Sequence, residues 1–401
     1  MLSSIIAALL GIATGTLTGI TPGLHINLVA SIIAGSAAAL TKTLSPFDIG
    51  VYLLTMSITH TFLDAVPAVF LGVAEGSELL SLLPSQRLVL QGRGMQAIFL
   101  LTFGALGCLL LSTALIPVLM KALPWAYYAL KPHMGIVLII LTGWMLLRER
   151  EPNILFWSFI IVLASAALGL ITLRSLNLDD PLLPMLSGLF GISGLVHALV
   201  SSTQLPPQGE SVPTTGGGKN TLLSLGSGTV AGSVIALLPG LGPAQAAVMA
   251  RAVLPRLGEE AFLILNGGIN TVNMALSLVT MSALGFARNG SLEVMLSIVK
   301  RPDAVALCQY AATGLVAGGI AAILTMKLGK KVGTLLPKTN YAFVSAGIIA
   351  MVSGLVFWRT GLLGLLILLT ATAIGLVAIL TGAPRHHLMA CIIVPVIWAT
   401  A

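Results

Sequence analysis

The chain has 401 residues, of which 57% are hydrophobic and only 8% are charged. A soluble globular protein carries about 25% charged residues, so this composition excludes a water-facing surface over most of the chain. The formal net charge is +7, but the basic residues are scattered and form no aromatic-rich basic face. We interpret the excess as the positive-inside bias of a membrane protein, and we expect no nucleic-acid partner.

Largely apolar tracts recur from one end of the chain to the other. Many are long enough to cross about 30 Å of hydrocarbon as a helix, and they lack the alternation of lipid-facing barrel strands. The sequence therefore predicts an all-α polytopic membrane protein with about ten to twelve helical elements, some of them broken or re-entrant. The predicted tracts are 2–20, 24–40, 48–72, 96–120, 133–147, 153–173, 182–200, 221–238, 244–256, 262–285, 304–326, 341–357, 361–380 and 386–400.

A pattern of glycine and proline occurs twice, at a constant offset. The matching pairs are Gly11 and Gly228, Gly15 and Gly232, Pro22 and Pro239, and Gly23 and Gly240. Proline lacks an N–H group and glycine permits a positive φ, so each Pro-Gly pair predicts a helix break within the membrane. We predict two structural repeats, residues 1–200 and 221–401, joined by a polar linker rich in proline and glycine at 201–220. Whether the repeats are inverted or parallel stays open.

Paired broken helices are typical of secondary transporters. A helix that resumes after a break exposes N–H groups and a positive dipole end, which together favour an anion. We therefore predict that the two breaks form one pocket for a negative solute, the alternatives being structural kinks and close packing through glycine. The candidate substrate-binding residues are Thr21, Pro22, Gly23, His25, Asn27, Pro239, Gly240, Gly242, Gln245, Asn270 and Asn273.

Two polar residues of the tract after the first break are candidates for ion coupling. His60 and Asp64 are four positions apart and share one helical face. A carboxylate in lipid costs at least ~2.5 kcal/mol, so Asp64 must face a partner, a cavity or an ion. We predict that this pair handles a proton or a sodium ion, since histidine titrates near neutrality. A structural Asp–His hydrogen bond is the alternative, and interhelical hydrogen bonding is the alternative for Asn266, Asn270 and Asn273.

Other polar groups are predicted to have no chemical role. No cofactor, no metal site and no catalytic motif is expected, and the chain is not expected to be an enzyme. His386 and His387 follow a proline and are interpreted as membrane-edge residues. Residues 75–93 are interpreted as a solvated loop, and the lysines at 327, 330, 331 and 338 as a basic cytoplasmic loop.

Four stretches of the chain resemble a known family. They read GTLTGITPGLHINLVASII, PSQRLVLQGRGMQAI, GSVIALLPGLGPAQAAV and NGGINTVNMA, and they are similar to the TctA-type large permease of tripartite tricarboxylate transporters. The resemblance implies cation-driven transport of di- or tricarboxylates, with a small membrane subunit and an extracytoplasmic binding protein as partners. It also implies that the two breaks frame the substrate, through Pro22, Gly23, Pro239, Gly240, Gly242 and Asn273.

The chain departs from the family pattern in two places. The stretch ITHTFLDAV stands where the family has a glycine-rich tract, and Asn270 stands near the position of an expected acidic residue. The departures bear on the choice of substrate and coupling ion.

The sequence thus predicts a secondary active transporter for an organic anion, a proton or sodium symporter of the plasma membrane. A polyprenyl-phosphate translocase that uses the same paired broken helices is the alternative, and a non-transporting scaffold is a third. A homodimer and contact with membrane lipid are further expectations.

Overall fold

A computed structural model gives the fold of most of the chain. It describes residues 2–22, 24, 26–71, 82–176, 178, 180–201, 206–209, 214–215, 217–238, 241–254, 257–339 and 341–400. Four candidate substrate-binding residues, Gly23, His25, Pro239 and Gly240, lie outside the described residues.

Within these ranges the chain forms α-helices and short 3₁₀ or π segments, and no strand. In chain order the helices are α1 Leu2–Ile20, α2 Ile26–Gly35, α3 Ala37–Leu40, α4 Pro46–Leu63, α5 Ala65–Leu71, α6 Leu82–Leu90, α7 Gly94–Ala114, α8 Ile116–Leu130, α9 Met134–Leu147, α10 Pro152–Leu170, α11 Leu182–Leu186, α12 Ser193–Ser201, α13 Gly218–Ile235, α14 Pro243–Val253, α15 Glu259–Ala283, α16 Gly290–Val299, α17 Ala304–Leu335, α18 Tyr341–Thr381 and α19 Ala390–Thr400.

The lengths and apolar character of these helices confirm the predicted all-α polytopic fold. In the described part of the chain, nine helical stretches are long and apolar enough to cross a membrane, and three shorter apolar helices accompany them. Two spans are nearly enclosed by protein: 94% of the Pro46–Leu71 window and 89% of the Glu259–Ala283 window are buried. These two central spans carry the predicted polar residues of α4 and α15, which therefore face other helices and not lipid.

The repeated glycines allow the first helix of each half to pack closely on a central span. A Cβ atom at Gly15 of α1 would collide with the carbonyl oxygen of Met56 on α4, and one at Gly232 of α13 would lie 2.6 Å from Cβ of Val272 on α15. Real Cβ atoms do not approach so closely, so only glycine fits at these positions. Glycine at such spacing lets membrane helices approach through their backbones. The repeated glycines therefore serve close helix packing, and Pro22 lies just after the end of α1.

The two halves of the chain are interleaved in the core. α7, from the first half, packs on α15 from the second, and α17 packs on α4. The α7–α15 crossing is tight because Gly104 lies against the backbone of Ile264 and Gly267 lies against the backbone of Leu101. The central spans of both halves thus form one packed unit.

The prediction of a basic loop is wrong for three lysines. Helix α17 continues to Leu335, so Lys327, Lys330 and Lys331 lie on a helix. Gly329 and Gly333 in this last part of α17 pack on Ile98 and Phe70, and that apolar contact extends the helix beyond the predicted end. The three lysines lie at exposed positions of this helix, beside the packed glycines.

Two further helices lie where the sequence analysis predicted loops. α6 lies within the segment interpreted as a solvated loop; its buried Val89 joins an apolar cluster, and its Arg87 pairs with Glu259 at the start of α15. α16 lies between two predicted tracts, and its buried Leu292 and Met295 pack beside α4. Both helices are short and depend on tertiary packing, which local sequence does not reveal.

Replacing Gly15 by alanine tests the role of the repeated glycines. The added Cβ would press on the Met56 carbonyl, and we expect a loss of about 1–3 kcal/mol of stability, typical of overpacking. The measurement is the melting temperature of the purified protein in detergent. Gly143→Ala is the matched control, since a Cβ there meets no atom within 4 Å. Equal melting temperatures for the two variants would contradict the packing role.

Candidate functional site

A cavity of about 230 Å³ lies between the two halves of the chain. One part of its wall is polar and comes from α4, α15 and the segments that follow the two breaks. The polar or break-associated residues that line it are Pro22, Asn27, His60, Thr61, Asp64, Asp180, Ser187, Pro243, Asn270, Asn273 and Asn289. Four predicted substrate-binding residues and both predicted ion-coupling residues thus line one cavity.

Both resumed helices begin at this cavity. α1 ends at Ile20 and α2 begins at Ile26, while α13 ends at Ile235 and α14 begins at Pro243. Ile26 and Pro243, the first residues of α2 and α14, both line the cavity, so the N-terminal ends of these helices border the same space. The helix dipole gives each of these ends a partial positive charge. The arrangement is the one expected of a shared anion pocket, whose binding role stays a prediction.

Arg288 stabilises the second break. Its Nε donates to the carbonyl oxygen of Ala236 at 3.1 Å, and its Nη2 donates to the carbonyl oxygen of Leu237. These carbonyls lie just beyond the end of α13. Burial lowers the pKa of Arg288 to about 10, so the guanidinium is still positive at neutral pH. The sequence analysis missed Arg288, because it lies in a short polar stretch between tracts.

A hydrogen bond joins the two central spans at the cavity. Asn270 of α15 donates through Nδ2 to Oδ2 of Asp64, at the end of α4, at 3.4 Å. His60, one turn earlier, lies with Nδ1 3.1 Å from the hydroxyl oxygen of Thr18 on α1. The predicted ion-coupling pair therefore connects α1, α4 and α15 through its polar contacts.

Asn273 offers the cavity an acceptor that no described group uses. Its Oδ1 is buried and receives no hydrogen bond from the described residues. Buried polar atoms of this kind are normally paired. A ligand hydroxyl, a water molecule or a cation would satisfy the oxygen in this position.

Three candidate substrate-binding residues do not line the cavity. Thr21 and Gly242 are absent from its wall, and Gln245 is completely buried. Gln245 accepts from the N–H of Gly242 at 3.0 Å through Oε1 and donates to the carbonyl oxygen of His386 at 3.3 Å through Nε2. Its side chain therefore caps the start of α14, as glutamine does in a capping box.

The described cavity wall contains acidic side chains. It carries two carboxylates, Asp64 and Asp180, and no lysine or arginine among the described lining residues. Sequence reasoning missed Asp180, because the acidic pair before Pro181 resembles an ordinary turn. A charged carboxylate on this wall would attract a cation and repel an anion.

The other part of the wall is apolar and contains a π-helical segment, Ser187–Ile192. Phe190 of this segment faces the cavity. Arg385 fixes the segment from behind: its Nη2 donates to the carbonyl oxygen of Phe190 and lies 3.2 Å from Oγ of Ser193. Wider helical turns of this type free backbone carbonyls and are frequent at functional sites. Sequence reasoning missed Arg385 as well.

A solute-sized cavity between interrupted helices, enclosed by apolar spans, is typical of a membrane transporter. The chain belongs to the tripartite tricarboxylate transporter TctA family, whose model matches residues 5–390. It is 27% identical to an uncharacterized protein of Methanocaldococcus jannaschii, over 97% of each chain. No solved structure matches the chain. The family match confirms the resemblance, and the chain is a multi-pass membrane protein of the plasma membrane, in a family of transporters and not of enzymes.

Replacing Arg288 by glutamine tests its role at the break. Two buried carbonyls would lose a charged donor, and each unsatisfied group costs about 1–3 kcal/mol. We expect a clear drop in melting temperature. Arg301→Gln is the matched control, because Arg301 also donates to a carbonyl, that of Leu284 at 3.2 Å, but is exposed. Similar losses in the two variants would argue against the proposed role of Arg288.

Proposed function

We propose that the protein is a secondary active transporter that carries a di- or tricarboxylate together with a proton or a sodium ion. The observation that carries the proposal is the cavity itself, where the N-terminal ends of α2 and α14 border the same space as Asp64, Asn270 and Asn273. Membership of the TctA family supports the substrate class. In this proposal the helix ends hold the substrate carboxylates, and the polar side chains orient them.

The acidic wall explains why a cation must accompany the substrate. Two like charges about 4 Å apart repel by roughly 4 kcal/mol at an effective dielectric constant of 20. A substrate carboxylate near charged Asp64 or Asp180 would face a penalty of that order. A proton or sodium ion on the aspartate removes the penalty, which corresponds to about a thousandfold gain in affinity. Cation and anion therefore bind cooperatively, as a symporter requires.

Through the Asp64–Asn270 hydrogen bond, a cation bound at Asp64 would act on the contact between α4 in the first half and α15 in the second half. A proton on Asp64 would weaken its attraction for the Asn270 amide, and a sodium ion would compete for the same oxygen. Either event changes the contact between α4 and α15 at the cavity. The free acceptor of Asn273 supplies a further oxygen for a hard cation, which prefers oxygen ligands.

The family supports two protein partners as part of the same proposal. We infer that an extracytoplasmic binding protein delivers the carboxylate and that a small membrane subunit completes the transporter. The lipid-carrier alternative predicts lysine or arginine side chains near the cavity, and the described lining residues include neither. The tests below also separate transport from a scaffold role.

Asp64→Asn tests the coupling. In proteoliposomes with an imposed sodium or proton gradient, we expect wild-type uptake of labelled citrate to follow the gradient. The variant should lose at least ten times in gradient-dependent uptake, because it carries no charge to neutralise. Asp48→Asn is the matched control: Asp48 is a buried aspartate on the same helix, but it bonds to Ser4 and does not line the cavity. Unchanged ion dependence in Asp64→Asn would remove Asp64 from coupling.

A thermal-shift titration tests cooperative binding. A ligand at a hundred times its dissociation constant stabilises the native state by about 2.7 kcal/mol. We expect citrate to raise the melting temperature only when sodium is present or the pH is low. Asn273→Leu should reduce this shift, and Asn220→Leu, at an exposed position in the first turn of α13, should not. No shift with any carboxylate under any condition would favour the scaffold role, and a shift with polyprenyl phosphate alone would favour the lipid translocase.

A further inference from the structure

A second cluster of polar side chains lies away from the cavity, and nothing in the proposed transport cycle uses it. Glu149 belongs to the turn between α9 and α10, while His386 and His387 lie on the 3₁₀ segment Arg385–Met389 that precedes α19. The side chains converge although Glu149 and His387 are 238 positions apart. Each offers one donor atom, and these atoms all lie within 4.8 Å of one another.

The spacing of these donor atoms suits a metal ion. Nε2 of His387 lies 3.4 Å from Oε1 of Glu149. Two ligands bound tetrahedrally at about 2.1 Å from one ion are themselves about 3.4 Å apart. The ring centroids of His386 and His387 are 4.2 Å apart, so a small rotation brings the third donor to the same ion. The pair that already has the right spacing comes from two different parts of the chain.

The burial of His386 is the second observation. His386 is 7% exposed and His387 is 4% exposed, so both imidazoles are inside the protein. Both ring nitrogens of His386 are buried, and neither has a hydrogen-bond partner among the described residues. Burying a polar group without a partner is costly, and such a group in a native protein indicates an ion or water molecule that satisfies it.

The third observation is the charge. Glu149 is partly buried, and its side chain is 19% exposed. The guanidinium of Arg148 lies over the ring of Trp144, 5.5 Å from its centroid, and so is held by another partner. A cation between Glu149 and the two histidines would offset the cost of burying the carboxylate.

We propose that Glu149, His386 and His387 form a binding site for a divalent first-row transition-metal ion. Two imidazole nitrogens and one carboxylate oxygen are the donor set that zinc and its neighbours prefer, whereas calcium and magnesium prefer oxygen ligands alone. The ion has three protein ligands, and water fills the remaining position.

The ion would fix the segment behind the cavity. The backbone oxygen of His386 accepts from Gln245, which caps α14, and the preceding residue, Arg385, holds the π segment of the cavity wall. A metal at His386 and His387 anchors this segment to the turn at Glu149. The site is therefore structural and stabilises the wall, and its occupancy is independent of which solute the cavity binds.

The direct test is metal content, with protein that carries no affinity tag. The purified protein is stripped with EDTA, incubated with zinc chloride, desalted and analysed by plasma mass spectrometry. We expect roughly one zinc ion per chain and a higher melting temperature. The cobalt-substituted protein should show the visible absorption of a site with nitrogen and oxygen ligands. Wild-type protein that retains no zinc at micromolar concentrations would overturn the proposal.

Variants locate the site. Glu149→Gln and His387→Gln should each weaken zinc binding at least tenfold while the protein stays monodisperse. The controls are Glu151→Gln, an exposed glutamate two residues from Glu149, and His133→Gln, an exposed histidine; both should bind zinc like the wild type. His386→Ala leaves a small void, so its folding is checked by gel filtration, and Glu149→Gln, at a partly exposed turn, provides the result if that variant aggregates. Zinc binding that is equal in Glu149→Gln and Glu151→Gln would contradict the assignment.

Discussion

The structure depends on one constraint: a backbone polar group inside a membrane must have a partner wherever a helix is interrupted. At the second predicted break, the chain meets this constraint in one way for carbonyl groups and in another way for N–H groups. The carbonyl groups just beyond the end of α13 accept hydrogen bonds from Arg288. At the start of α14, the N–H of Gly242 donates to the side chain of Gln245. The same need explains Arg385, which satisfies carbonyls released by the π segment. Two partly buried arginines and a buried glutamine therefore maintain the irregular backbone around the cavity.

The second organising interaction is the contact between the halves at the cavity. The central spans α4 and α15 are largely enclosed by protein, so their polar residues face other helices or the cavity. The Asp64–Asn270 bond and the Thr61–Thr271 contact at 3.4 Å lie along this interface. Charge introduced or removed at Asp64 acts on a junction between halves, and this is the physical basis of the proposed coupling.

Sequence patterns were sufficient for the class of fold and for much of the cavity wall. Periodicity placed His60 and Asp64 on one face, and the duplicated prolines placed Pro22 next to the cavity, because both signals are local. Arg288, Arg385 and Asp180 could not be assigned in this way. Each lies in a short polar stretch whose meaning comes from contacts with distant residues, and Glu149 and His387 meet across most of the chain. Gln245 follows a break as expected, but its orientation depends on a carbonyl far away in sequence.

The bend in α18 bears on how the cavity could exchange its contents with either side of the membrane. Gly361 has a φ of 64° at this bend. A Cβ there would meet nothing within 4 Å, so no neighbouring atoms pack against this position. Only the half of α18 before the bend supplies Ile348 and Val352 to the wall. That half also carries Arg359, which reaches Ser31 on α2 at 3.3 Å. A change of backbone angle at Gly361 would therefore move the part of α18 that lines the cavity together with its contact to α2.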